Sequence, residues 1–81
     1  MQSIRNEAIK VLKNLYDETH GSRREFVNFY EKVKLLGYDP QIADRIFDYL
    51  RGEGLVKSIA LDGYVVLTHA AIKLIEEELQ E

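Results

Sequence analysis

Cysteine is absent from this chain, and so is any long apolar run. Without cysteine there is no disulfide framework, no thiolate metal site and no thiol redox chemistry, so a reducing, cytoplasmic setting is expected. The longest uninterrupted aliphatic and aromatic run, Tyr64 to Leu67, is far too short to cross a bilayer, and no membrane insertion is expected. The opening residues Met1-Gln2-Ser3-Ile4-Arg5-Asn6-Glu7 lack the apolar core of a secretion signal. Histidine is scarce: His20 and His69 lie far apart, and neither has a partner at ligand spacing, so no metal or other cofactor is expected. There is no glycine-rich phosphate loop and no Ser/His/Asp set that one small fold would bring together, so the chain does not read as an enzyme.

What is present points to one small domain spanning residues 1–81. A chain of 81 residues buries roughly 60–65 % of its unfolded surface, enough for one modest core. Aliphatic and aromatic residues are plentiful and spread throughout, which argues against disorder. No segment has the composition of a linker, an internal repeat or a low-complexity tract. The net charge is −3 and unevenly divided. Residues 1–37 carry seven basic groups against five acidic ones; residues 38–81 carry four against nine. An acidic chain is a poor generic binder of polyanions, because neutralising phosphates supplies most non-specific affinity.

Spacing divides the chain into elements. Ile4, Ala8, Val11, Leu12, Leu15 and Tyr16 recur at helical intervals, predicting a first helix that Gly21 brings to an end. Ser22-Arg23-Arg24-Glu25 matches a capping box, which predicts a second helix from Ser22 to Gly37 with Phe26, Phe29, Tyr30, Val33 and Leu36 inward. Asp39-Pro40 is the clearest start signal, an N-cap followed by proline at the first helical position. A third helix then runs from Pro40 to about Arg51, burying Ile42, Ala43, Ile46, Phe47, Tyr49 and Leu50 and leaving Gln41, Asp44, Arg45 and Asp48 outward. Leu55 to Leu61 and Tyr64 to Thr68 are β-favouring runs, and Asp62-Gly63 between them predicts a two-residue hairpin turn. That turn pairs Leu61 with Tyr64, Ile59 with Val66 and Lys57 with Thr68. Thr68 caps a last helix over about 69–80, with Ala71, Ile75 and Leu79 inward. The expected class is mainly α with a small β hairpin, in the order α-α-α-β-β-α; a further short strand between helices is left open.

Three segments carry a resemblance to a known family. Leu36-Gly37-Tyr38-Asp39-Pro40 is a turn between two helices; Leu50-Arg51-Gly52-Glu53-Gly54-Leu55-Val56 leads from a helix into a strand; Gly63-Tyr64-Val65-Val66-Leu67-Thr68 leads from a strand into a closing helix. In this order and spacing, over about residues 4–80, they resemble the winged helix-turn-helix domains of MarR/PadR-type transcriptional regulators and related prokaryotic modules. Ala71 stands where that family usually has glycine, and Lys57 is the only basic residue of the wing. The resemblance implies a winged helix and a small, dimeric, cytoplasmic transcription regulator bound to double-stranded DNA. The third helix would enter the major groove, with Gln41 able to pair with adenine and Arg45 with guanine. Arg23 and Arg24, at the start of the second helix, and Lys57 would hold phosphates. Asp44 and Asp48 share the face of Gln41 and Arg45, and an ordinary solvated helix face explains the same residues.

Behind DNA binding as the leading expectation stands an alternative of another class: a winged-helix module for protein contact or homodimerisation, with no DNA binding. If Leu67 points into the core, Ile59, Leu61, Tyr64 and Val66 point outward and form an apolar patch on the wing, of the kind that marks contact surfaces. Leu74 and Leu79 of the last helix offer a second dimer seam, which core packing would explain as well. Surface charge separates the two functions, since a DNA binder needs a continuous basic footprint across the third helix and the wing.

Overall fold

The computed structural model describes residues 4–59 and 63–79, the side chain of Leu79 excepted. The elements are α1 (Ile4–Thr19), β1 (Val27–Asn28), α2 (Phe29–Leu35), α3 (Pro40–Gly52), β2 (Val56–Ser58), β3 (Tyr64–Leu67) and α4 (His69–Leu79). The strands form one antiparallel sheet in the order β1-β3-β2. The layout is α+β and winged-helix-like: a helical body with the β2–β3 hairpin as its wing. The short strand left open from the sequence is β1, which joins the far side of β3.

Most elements start and stop where their residues dictate. The α1 stripe of Ala8, Val11, Leu12 and Leu15 is fully buried, as its helical spacing requires. Gly21, at φ +77°, donates its N–H to the Tyr16 carbonyl at 3.0 Å and turns the chain out of the helix. At the head of α3, Asp39 Oδ1 accepts from the Ile42 N–H at 2.9 Å and Pro40 holds the first helical position. Ala43, Ile46, Phe47 and Leu50 of α3 enter the core, while Ile42 and Tyr49 are half-buried against it. Thr68 accepts from the Ala71 N–H at 3.2 Å, capping α4, and its hydroxyl donates to the Gly54 carbonyl at 2.6 Å. Ala71 is fully buried, so its methyl group is core volume that a glycine would leave empty.

The second helix departs from expectation. Ser22 does not open it: Ser22 Oγ accepts from the Arg24 N–H at 3.1 Å in a local turn, and residues 22–26 are non-helical. Asn28 is the true cap, extended at φ −74° and ψ 104°, with Oδ1 accepting from the Glu31 N–H at 3.1 Å. The physical reason is competition for the backbone. Val27 and Asn28 pair with Val65 and Tyr64 of β3, and the Phe29 N–H donates to the Gly63 carbonyl at 3.0 Å. A helix from Ser22 would forfeit that pairing. The expected stripe therefore splits: Phe29 is 0 % exposed and Val33 is buried, but Phe26 is 68 % exposed and Tyr30 partly so.

The wing register also differs, by two residues. Val56 pairs with Leu67, Lys57 with Val66 and Ser58 with Val65, and the Ile59 N–H donates to the Tyr64 carbonyl at 3.1 Å. Thr68, expected opposite Lys57, donates its N–H to the Leu55 carbonyl at 3.3 Å instead, while its hydroxyl serves Gly54 and the α4 cap. Because side chains alternate with a period of two, a two-residue offset leaves every residue on its expected face. Val56, Val65 and Leu67 point into the core; Lys57, Ile59, Tyr64 and Val66 share the other side. Gly63 has the positive φ expected of it, +82°, but four residues separate Ile59 from its partner Tyr64, so the connection is not the expected two-residue Asp62-Gly63 turn; Leu61 and Asp62 lie outside the described residues.

Replacing Phe29 by alanine should cost about 3–5 kcal/mol, and replacing Phe26 only about 0.5 kcal/mol or less, because one ring is core and the other lies in solvent. Urea denaturation of the two variants checks this. Equal losses would restore the helix beginning at Ser22.

Candidate contact and nucleic-acid surfaces

Two surfaces gather the residues that the sequence singles out. The first is the outer face of α3, where Gln41, Asp44, Arg45 and Asp48 are all exposed. Several of its charges have partners within the chain. The Tyr30 hydroxyl donates to Asp44 Oδ1 at 2.8 Å, and Arg51 Nη2 lies 3.9 Å from Asp48 Oδ1. The Arg51 guanidinium also sits 5.5 Å from the centre of the Phe47 ring. Burial, followed by the hydrogen bond to Asp44, pushes the Tyr30 phenol up to about 12. Arg45 borders a small cleft of about 140 Å³ with Ile4, Glu7, Tyr38 and Ile42.

The proposed phosphate contacts are not gathered on one helix end. Gln41 and Arg45 do stand one turn apart on α3. Arg23 and Arg24 are exposed, but they lie in the segment before β1 and not at a helix N-terminus, so no helix dipole assists them. Their expected placement rested on a helix starting at Ser22. Lys57 is exposed on the wing, on the sheet face it shares with Val66.

The second surface is that outer sheet face. Ile59 is 37 % exposed and Tyr64 38 % exposed, with Val66, two residues after Tyr64 on β3, half-buried on the same face. Leu61, expected in the same patch, lies outside the described residues. Tyr30 supports this end of the sheet. Its ring stacks on Phe47 at 5.5 Å and 12°, and a Cβ added at Gly63 would lie 2.9 Å from Tyr30 Cδ2. One aromatic ring of α2 thus lies against both Gly63, just before β3, and Phe47 of α3. Of the other seam considered, along α4, Leu74 is partly buried against the core, and the side chain of Leu79 lies outside the described residues.

One polar pair escaped the sequence. Glu7 lies on the buried side of α1 and accepts a hydrogen bond on Oε2 from the Tyr38 hydroxyl, with Lys10 Nζ 3.7 Å from its Oε1. Burial, then Glu7, pushes the Tyr38 phenol up to about 12. The signal was the spacing itself: Glu7 follows Ile4 by three and precedes Val11 by four, which places it on the apolar stripe. His20 and His69 are both exposed, and among the described residues no group of three or more acidic, histidine or cysteine side chains is placed to hold a metal ion. No helix among those residues is long and apolar enough to cross a membrane. Compared with family models, curated proteins and solved structures, the chain matches none.

Raised phenol values tie stability to alkaline pH. A phenol whose proton is held more tightly in the folded state stabilises the fold fully below its ordinary value of 10.0, and this contribution is lost as pH rises through about 12. Urea midpoints measured at about pH 8 and about pH 11 should therefore fall further for the wild type than for Tyr30→Phe or Tyr38→Phe, which have no phenol to ionise. An identical fall in all three would show that neither hydroxyl contributes.

Proposed function

We propose that this domain is a winged-helix protein-contact module, acting in the cytoplasm without catalysis of its own, and that it docks a partner on the outer face of the wing. The observation that carries this is the pairing of Ile59 and Tyr64, exposed on one sheet face, beside an outer α3 face on which Asp44 and Asp48 outnumber Arg45. Exposed apolar faces rimmed by polar residues are a common mark of contact surfaces. Lys57 shares this face, so the partner best suited to it presents an apolar patch beside an acidic residue.

A second function has a specific observation in its favour. Gln41 and Arg45 are both exposed one turn apart on α3, the arrangement that base readout in a major groove requires. In that case the domain is a transcription regulator of the kind it resembles, with Lys57, Arg23 and Arg24 on phosphates. Asp39, Asp44 and Asp48 on or beside the same helix weigh against it, because each carboxylate is repelled by the duplex backbone.

Fluorescence anisotropy with labelled random duplex DNA, across a salt series, separates the two. A protein-contact module gives no binding even at the lowest salt. Binding that falls steeply with salt and is lost in Arg45→Ala would establish the DNA function instead. The wing face has its own check. Ile59→Lys should leave the urea midpoint almost unchanged, within about 0.5 kcal/mol, because the side chain is already partly solvated. Unfolding by this substitution would make the face part of the core and end the proposal.

A further inference from the structure

A cleft of about 440 Å³ lies away from the α3 face, between the C-terminal end of α1, the edge strand β1 and α2. Phe26, Val27 and Leu35 give it an apolar lining. Phe26 and Leu35 are the two most exposed large apolar side chains among the described residues, at 68 % and 78 %. Glu18, Glu25, Glu31 and Lys32 supply its charge. Lys32 Nζ lies 3.4 Å from Glu18 Oε2, so that lysine is already answered. Glu25 and Glu31 have no ion-pair partner among the described residues, and neither do Arg23 and Arg24, exposed just before Phe26 in the chain.

The patch therefore holds both halves of a complementary pair. Arg23-Arg24-Glu25-Phe26 presents an aromatic anchor preceded by two cations, and the neighbouring groove offers apolar walls with unanswered carboxylates. Self-complementarity of one patch is the requirement for a two-fold interface, in which each copy both gives and receives the same contacts. The strand at the centre, β1, is a sheet edge, and covering such an edge is one way proteins prevent unwanted pairing. We propose that this groove is the interface between two copies of the chain. Phe26 of each copy lies against Val27 and Leu35 of the other, and Arg23 and Arg24 of each face Glu25 and Glu31 of the other. The proposal is independent of the wing face and of what docks there.

Sedimentation equilibrium of the full chain over a concentration series tests it. The wild type should pass from the mass of one 9.4 kDa chain to that of two. Leu35→Lys should weaken association about tenfold or more, with an unchanged circular dichroism spectrum because Leu35 is exposed at a helix end. A charge exchange tests the pairing itself. Arg23→Glu with Arg24→Glu should give a monomer, Glu25→Lys with Glu31→Lys should give another, and mixing the two should restore a dimer. Ile59→Lys should dimerise like the wild type. A wild type that stays monomeric at the highest concentration overturns the proposal. So does a dimer that ignores Leu35→Lys and both charge variants, or one lost in Ile59→Lys instead.

Discussion

Pairing of Val27 and Asn28 with β3 fixes the segment that follows α1, and much of the remaining structure hangs on it. The pairing continues through the Phe29 N–H to the Gly63 carbonyl, and Asn28 then caps α2. Together these set the rotation of α2 about its axis. Phe29 is turned inward, edge-on to Phe47 at 5.1 Å, and Tyr30 comes to lie flat on Phe47 beside Gly63. Burying a phenylalanine is worth about 1.5–3 kcal/mol, and each aromatic pair adds about 0.5–1.5 kcal/mol. Those gains exceed what a longer helix starting at Ser22 would bring from one capping box, typically about 1 kcal/mol. The same rotation leaves Phe26 outside, where it borders the cleft beside β1.

The polar interactions follow a similar logic of placement. Glu7 sits on the inner side of α1, where an ionised carboxylate without partners would be strongly destabilising. Tyr38, just before the α3 cap, supplies a hydrogen bond, and Lys10 supplies a charge one turn along the helix. The pair thereby links α1 to the turn that sets the start of α3. On the far side of α3, Tyr30 uses its hydroxyl on Asp44, so a single residue contributes stacking, support for the wing and a partner for an acidic side chain. Asp44 and Asp48 still flank Arg45 on that face, and the exposed apolar side chains of the sheet and the β1 cleft stand out against it.

Legibility in the sequence was uneven, and the pattern has a physical basis. The α1 stripe, the Asp39-Pro40 start of α3, the glycine endings and the Thr68 cap were all readable, because each depends on residues within a few positions of one another. Even the face assignment of Ile59, Tyr64 and Val66 survived a wrong register, since an offset of two preserves alternation. Gln41 and Arg45 were correctly placed on the outer side of α3 by helical spacing alone. What they bind is a matter of the charges around them, which spacing does not reveal.

By itself, then, the sequence determined the class of the fold, the positions of α1, α3 and α4 and the inner and outer faces of the wing, all of them consequences of local backbone preference and short-period patterning. Only the tertiary structure decided that Ser22 loses to Asn28 as a cap. The capping box at Ser22 was the local signal, and Asn28, six residues on, caps instead because hydrogen bonds to a strand nearly forty residues further along the chain hold Val27 and Asn28 extended. The same long-range pairing left Phe26 outside the core, against the expected stripe, and moved Arg23 and Arg24 off a helix end. It also formed the cleft against β1, which no local pattern encodes because its walls come from three separate elements.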